Sequence, residues 1–363
     1  MADWKTKAGR AALNTVWWTG LSRLVTDREK PFGAIFTLHH VSPTPHDNFP
    51  PNGHLRITPE FLEAAIVHLA AQGVEFVDLA EATRRLVAPR RDGDRFFAAF
   101  TLDDGYCNND VHAAPVFRRH GVPYAIFVSP GLTERTTLPW WEVIERVVHD
   151  NGAVTVPFLP DKLPAQTTRQ KRQSFNRIFR HLTQECPEPF LDGTVRHLAE
   201  SNGIAAPNAA SCVMDWDMLK RLSADPLCTI GAHSMTHARL SRLDSRDVVR
   251  EMQLSRDVIG EKLGRRPEFF AYPYGFREAC GPREFALAAE VGFRAAVTTR
   301  LHALTPRTTG NLHALPRLSL NGYYQDPRYI DVLISGLPGI WKERRDRATA
   351  GFAVDQRARG LPL

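Results

Sequence analysis

The sequence predicts an α/β protein in which parallel strands, arranged as a sheet or a barrel, are covered by helices. Three observations carry that expectation. Short apolar runs alternate with helical patterns from Ala34 to Val128 and again from Asp215 to Leu320, the order that parallel strands with helical crossovers require. One run, Phe96 to Thr101, is uncharged and half aromatic, as suits a strand covered on both faces. The unusual polar residues fall at one kind of place, the C-terminal end of a strand, where open sheets and barrels build their sites.

Taken in order, residues 4–25 can form a basic amphipathic helix with Val16, Trp17, Trp18, Leu21 and Leu24 on one side, docked on the core or lying on a membrane surface. Ala34 to Leu38 reads as a strand ending on His39-His40, followed by a polar, proline-rich loop to about Ile57. Thr58-Pro59-Glu60 opens a helix with a capping hydroxyl, a proline at the first helical position and an early acid. Phe61, Leu62, Ala65, Ile66 and Leu69 repeat at helical spacing, and Gly73 closes that helix. Val74 to Val77 reads as a strand and Leu79 to Val87 as a helix. The Phe96 to Thr101 strand then ends on Asp103-Asp104-Gly105, with the glycine suited to a tight exit turn. Residues 109–120 read as a helix and Tyr124 to Val128 as the next strand.

The pattern changes at Pro130. Leu138-Pro139-Trp140-Trp141 opens a helix, two more span about 168–184 and 188–201, and no strand stands out, so residues 131–214 read as a mainly helical insertion. Asp215 to Leu222 returns to helical spacing, and Cys228 to Ala232 is a strand ending on His233-Ser234-Met235-Thr236-His237. A helix follows over Ser245 to Leu263, then a strand over Glu268 to Tyr272 running into Pro273-Tyr274-Gly275. A helix over Pro282 to Val291 and strands over Phe293 to Thr298 and Leu315 to Leu320 complete the main domain, which spans 31–330; the last strand carries Arg317. Residues 1–30 read as a helical extension and 331–363 as a polar flanking segment.

At 363 residues the chain can bury a large core. Its 43% hydrophobic and 24% charged residues exclude a disordered chain. No uncharged run approaches the roughly 18 residues of a membrane-spanning helix. The net charge of +6 is spread along the chain, which argues against a nucleic-acid partner. The five cysteines, Cys107, Cys186, Cys212, Cys228 and Cys280, are odd in number, widely spaced and form no C-x-x-C pair, as expected in a reducing compartment. Met1 to Arg10 is charged and Ala11 to Val25 is interrupted by polar residues, unlike a secretory signal, so a cytoplasmic protein is expected.

His39, Asp103, Asp104, His233 and Tyr274 all fall at strand ends. His233 and His237, four apart, can share one side of a helical turn and bind one metal. With a carboxylate from another strand end they make a facial site with room for water. A divalent metal lowers the pKa of bound water from about 15.7 towards about 7. One aspartate would hold the metal while the other takes the water proton, and His39 is the candidate acid for the leaving group, with His40 on the opposite face.

Thr101-Leu102-Asp103-Asp104-Gly105 resembles the T-F-D-D-G motif of the polysaccharide deacetylase (NodB homology) family, the fourth family of carbohydrate esterases. His233-Ser234-Met235-Thr236-His237 resembles its H-S/T-x-x-H motif, and Phe270-Ala271-Tyr272-Pro273-Tyr274-Gly275 its third motif, over a likeness extending across residues 31–320. The resemblance implies a distorted (β/α) barrel and metal-dependent removal of N-acetyl or O-acetyl groups from an amino sugar, oligosaccharide or polysaccharide. It implies Asp103 as base, Asp104, His233 and His237 as holders of a divalent metal, and the backbone amide of Tyr274 as an oxyanion donor. Zinc is the first expectation for that metal, with cobalt, manganese or nickel as alternatives.

Two departures stand out. Ala271 replaces the arginine of the third motif, and the late leucine-x-histidine motif is missing. Leu38-His39-His40-Val41-Ser42-Pro43 is similar to the opening of the family's circularly permuted branch, which takes its catalytic histidine from the start of the chain. Arg317 is the proposed substitute for the lost arginine, orienting Asp103 and lowering its pKa. Two other functions fit the same residues, hydrolysis of a small non-sugar amide and glycan binding without catalysis.

Overall fold

The computed structural model describes residues 2–21, 30–43, 49–91, 93–205 and 211–346. In chain order the strands are β1 (Gly33–Leu38), β2 (His40–Val41), β3 (Arg56–Ile57), β4 (Glu75–Phe76), β5 (Phe97–Leu102) and β6 (Tyr124–Val128). They continue with β7 (Ala153–Val154), β8 (Leu163–Pro164), β9 (Cys228–Ala232), β10 (Phe269–Ala271), β11 (Ala295–Leu301) and β12 (Leu315–Ser319). Seven of them close into a parallel barrel in the order β1-β12-β11-β10-β9-β6-β5, with β5 pairing back to β1 and β4 lying outside on β5. The expected (β/α) barrel is therefore the observed fold. The first strand of the chain fills the gap between β5 and β12.

Alternation along the strands sorts two cores. Phe36, Leu38, Phe100, Ile126 and Val128 pack outward against the covering helices. Ile35, Ala99, Ala125, Phe127 and Ala271 fill the barrel interior. The Phe127 ring lies over Gly231 of the neighbouring strand, so a Cβ added there would run into it.

Helices over Pro59–Ala71, Ser245–Leu263 and Pro282–Val291 form where capping and periodicity place them. Residues 109–113 form a wider π-type turn before the Ala114–His120 helix, because Pro115 has no N–H to continue an α-helical ladder. The insertion carries helices over Trp140–Asp150, Thr168–Arg180 and Glu188–Glu200 around a cluster including Ile144, Val147, Phe175 and Leu198. It also holds a small antiparallel pair, β7 with β8, too short to give a strand pattern in sequence.

The helix Ala2–Thr19 docks along Pro327–Ile334, a helix that sequence reading left inside the polar tail. Val16 is buried there and Trp17 Nε1 donates to Asp331 at 3.3 Å, whereas Trp18 is 72% exposed. The expected single stripe is thus divided, and Leu24 lies outside the described residues. No helix among the described residues is long and apolar enough to cross a membrane.

Candidate active site

Register brings the site together. Leu38 pairs with Leu102, so His39 and Asp103 leave the barrel side by side, and the Asp103 N–H donates to the Leu38 carbonyl at 3.0 Å. Val128 pairs with Ala232, and the His233 N–H donates to the Val128 carbonyl at 2.9 Å. Ser129 Oγ in turn donates to the His233 carbonyl at 2.6 Å.

Arg317 reaches the same rim from inside the barrel and is 1% exposed. Its Nη1 and Nη2 donate to Asp103 Oδ1 and Oδ2 at 2.8 and 2.6 Å, Nε donates to the Thr298 carbonyl at 2.9 Å, and Nη1 also donates to Thr101 Oγ1 at 2.9 Å. A planar guanidinium with every polar edge engaged can hold a carboxylate in one orientation. Burial pushes the Asp103 carboxyl up, but Arg317 and then His233 outweigh it and hold the group below the usual carboxylate range. Ala271 lies in the interior cluster, and the guanidinium that meets Asp103 is carried by β12.

Asp104 turns the other way, and its Oδ1 lies 3.5 Å from His233 Nε2 and 3.3 Å from His237 Nε2. All three residues are buried. His233 Nδ1 lies 2.7 Å from the Ala271 carbonyl. A carbonyl only accepts, so Nδ1 carries a proton, and Nε2 is the nitrogen turned to the Asp104 carboxylate. A carboxylate oxygen within 3.5 Å of two imidazole nitrogens in a buried site is a ligand set that a divalent cation can occupy. Asp104 Oδ1 has no hydrogen-bond partner among the described residues, which fits a divalent ion held by Asp104, His233 and His237.

The expected helical turn between the two histidines is not there. Residues 233–239 form an irregular loop in which Ser234 and His237 have φ of 59° and 58°. Among the described residues five non-glycine residues have positive φ, and Asp104, Ser234, His237 and Tyr274 are four of them. Left-handed backbone at residues with a side chain costs energy, so its concentration here shows that surrounding contacts hold the loops in place. At Gly275, with φ of 63°, an added Cβ would lie 2.5 Å from the Thr299 nitrogen, which excludes any side chain.

Much of that support comes from three consecutive insertion residues. Trp140 Nε1 donates to the Tyr274 hydroxyl at 2.9 Å. Trp141 packs on His237 with ring centroids 4.6 Å apart, and its Nε1 donates to the Tyr106 hydroxyl at 2.7 Å. Glu142 Oε1 lies 3.1 Å from His40 Nε2, and its other oxygen accepts from Arg56 at 2.9 Å. His40 stacks on Tyr106 at 3.5 Å, so it belongs to the frame while His39 faces the cavity. The His39 carbonyl accepts from Asn109 Nδ2 at 2.7 Å. Burial pulls the His39 imidazole below its ordinary range while Asp104 and Asp103 act in the opposite direction. The Tyr274 carbonyl accepts from Thr299 Oγ1 at 2.6 Å, which fixes the peptide following Tyr274.

These groups open into a cavity of about 540 Å³ whose lining includes His39, Asp103, Asp104, His233, His237 and Tyr274. Arg317 stands behind Asp103. Sequence reading missed the Trp140-Trp141-Glu142 brace and the support from Asn109 and Arg56, because none of them lies at a barrel strand's exit or in a recognisable motif, and it took Thr101 only as part of its motif. The adjacency of two tryptophans and an acid at a helix start was the only signal.

The sequence profile described as polysaccharide deacetylase matches residues 90–296. No curated protein matches the chain. Among solved structures, the deacetylase PplD of Streptococcus pyogenes, in complex with acetate, is similar at 14% identity with a TM-score of 0.55, covering 83% of this chain and 97% of its own. IcaB from Ammonifex degensii is similar at 17% identity with a TM-score of 0.52, covering 85% and 98%. A de-N-acetylase from Aggregatibacter actinomycetemcomitans has 12% identity and a TM-score of 0.52, covering 83% and 99%. These likenesses bear on the barrel, and the profile match, spanning more than half the chain, bears on descent. The chain belongs to the polysaccharide deacetylase family of carbohydrate-acting hydrolases.

Proposed function

We propose that the protein removes N-acetyl groups from an amino-sugar unit of a glycan with the help of a divalent metal, zinc first. The observation that carries this reading is the buried Asp104 carboxylate facing two imidazole Nε2 atoms, one residue from a second carboxylate neutralised by Arg317. A divalent cation held by Asp104, His233 and His237 supplies Lewis-acid polarisation. Asp103, ionised and aimed by Arg317, takes a proton from the attacking water. The Tyr274 backbone N–H donates to the carbonyl oxygen as it gains charge. His39 delivers a proton to the departing nitrogen, so that acetate and a free amine leave. The place of β1, between the ends of two strands far along the chain, supports reading the protein as a member of the permuted branch.

Purified protein should release acetate from N-acetylated oligosaccharides faster than from an O-acetylated neutral polymer or from small amides. Chelation, with metal loss verified by elemental analysis, should abolish that release. Full activity after verified metal removal would sink the reading.

A further inference from the structure

The insertion does more than brace the loops, because it also supplies a wall of the cavity. Trp140, Phe179, Leu182 and Leu191 line one side, and Phe276 lines the edge beyond Tyr274. Their rings form a connected arc. From His237, Tyr274 lies 5.0 Å away between centroids; Trp140 is 6.4 Å from Tyr274, and Phe179 is 5.4 Å from Trp140. On the other side Phe276 is 6.2 Å from Tyr274.

The two ends of the arc are open while its middle is packed. Phe179 is 41% exposed and Phe276 38%, against 6% for Trp140. Neither end is loose. Phe179 stacks on Phe175 at 6.0 Å, and Phe276 carries the Arg239 guanidinium 5.2 Å above its ring. Exposed aromatic faces held by packing and continuous with a catalytic cavity are pre-organised to receive the apolar face of a ligand. Thr183 and Gln184, in the π-type turn just after the Phe179 helix, add hydrogen-bonding groups along the same wall. A pyranose ring matches this pattern, with C–H faces for an aromatic ring and hydroxyls at its equator. An acyl chain has no hydroxyl to meet Gln184 or the lone pairs of the Thr183 hydroxyl, whose proton already goes to the Phe179 carbonyl at 2.7 Å.

Resting on the proposed deacetylase reading, we infer that Phe179 is a sugar-binding platform for the unit next to the one that loses its acetyl group. The substrate is thus an oligosaccharide or polymer engaged at more than one ring. The test compares wild type with Phe179→Ala and Phe179→Trp, using acetylated glucosamine as monosaccharide and trisaccharide. The ratio of kcat/KM for trisaccharide over monosaccharide should fall about tenfold in Phe179→Ala, mainly through KM, and recover in Phe179→Trp. An unchanged ratio in Phe179→Ala overturns the inference. Calorimetric binding of the deacetylated trisaccharide needs no turnover and separates this inference from the catalytic reading. About tenfold weaker binding in Phe179→Ala, with Phe179→Trp near wild type, supports the platform even if no acetate is released. Equal affinity in wild type and Phe179→Ala overturns it.

Discussion

Arg317 and Asp103 lie 214 residues apart in sequence and meet through two hydrogen bonds of 2.8 and 2.6 Å inside the barrel rim. Removing one partner of a buried ion pair leaves an uncompensated charge, which costs about 3–5 kcal/mol. Arg317→Met should therefore lower urea stability by about that amount and reduce acetate release at least a hundredfold. Arg317→Lys keeps the charge but loses the fork and should recover only part of both. A Met variant with wild-type stability and rate would show that the pair contributes to neither.

Equilibrium dialysis should find one tightly bound divalent ion per chain. His237→Ala and Asp104→Asn should each weaken that binding severely, whereas Asp103→Asn should keep the ion and lose turnover. Elemental analysis of the dialysed variants reads this directly. An Asp103→Asn protein with full activity would remove Asp103 from its role as base.

The Trp141 indole N–H donates to the buried Tyr106 hydroxyl, and its ring packs on His237. Trp141→Phe should leave that hydroxyl without its donor, at a cost of about 1–3 kcal/mol. It should also weaken metal binding about tenfold, the usual scale for a support lost behind a ligand. Unchanged metal affinity would assign Trp141 to packing alone.

Glu142 gives a dependence on pH. Burial pushes its carboxyl up, but His40 and Arg56 outweigh burial and hold it below the ordinary value. A lowered folded pKa means stability that is fully present above the unfolded value of about 4.3 and lost as pH falls through the folded value. Glu142→Gln should thus be less stable than wild type in urea at pH 7.5, and the gap should narrow as pH drops below about 4.3. A gap that stays constant or widens towards acid would contradict the assignment.

Gly231 pairs with Phe127 on the neighbouring strand, and the Phe127 ring lies over it. Gly231→Ala forces a shift in a packed core and should cost about 1–3 kcal/mol, read by urea unfolding. Wild-type stability would show that the Phe127 ring can move aside.

Most of the strand and helix order was legible because β1, β5 and β6 are fully buried, mostly apolar runs and several long helices carry their own cap and stop. Ser245–Leu263 and Pro282–Val291 form over the residues expected. The Pro327–Ile334 helix went unread although Asp326 caps it, Pro327 opens it, and Tyr329, Ile330 and Val332 form its buried face, because it straddles the boundary drawn at residue 330. At the site, the motifs marked the residues, but the path between His233 and His237 was misread as helical. A spacing of four places two rings together in a helix, and left-handed residues in a loop reach the same result. The brace from Trp140 to Glu142 was invisible because it acts on loops that meet it only after the barrel has closed.

The position of β1 between β5 and β12 has a consequence for how the molecule is made. The first strand leaves the ribosome early and gains β5 as a neighbour within the next stretch of chain. Its other edge stays unpaired until β12, the last strand among the described residues, has been synthesised. Nascent chains that hold β1 but not yet β12 therefore carry an open, apolar sheet edge, the situation in which association with other chains competes with folding. Ring closure is a long-range event with high contact order, so slow refolding and a need for chaperone protection follow from the same strand order that sets His39 beside Asp103.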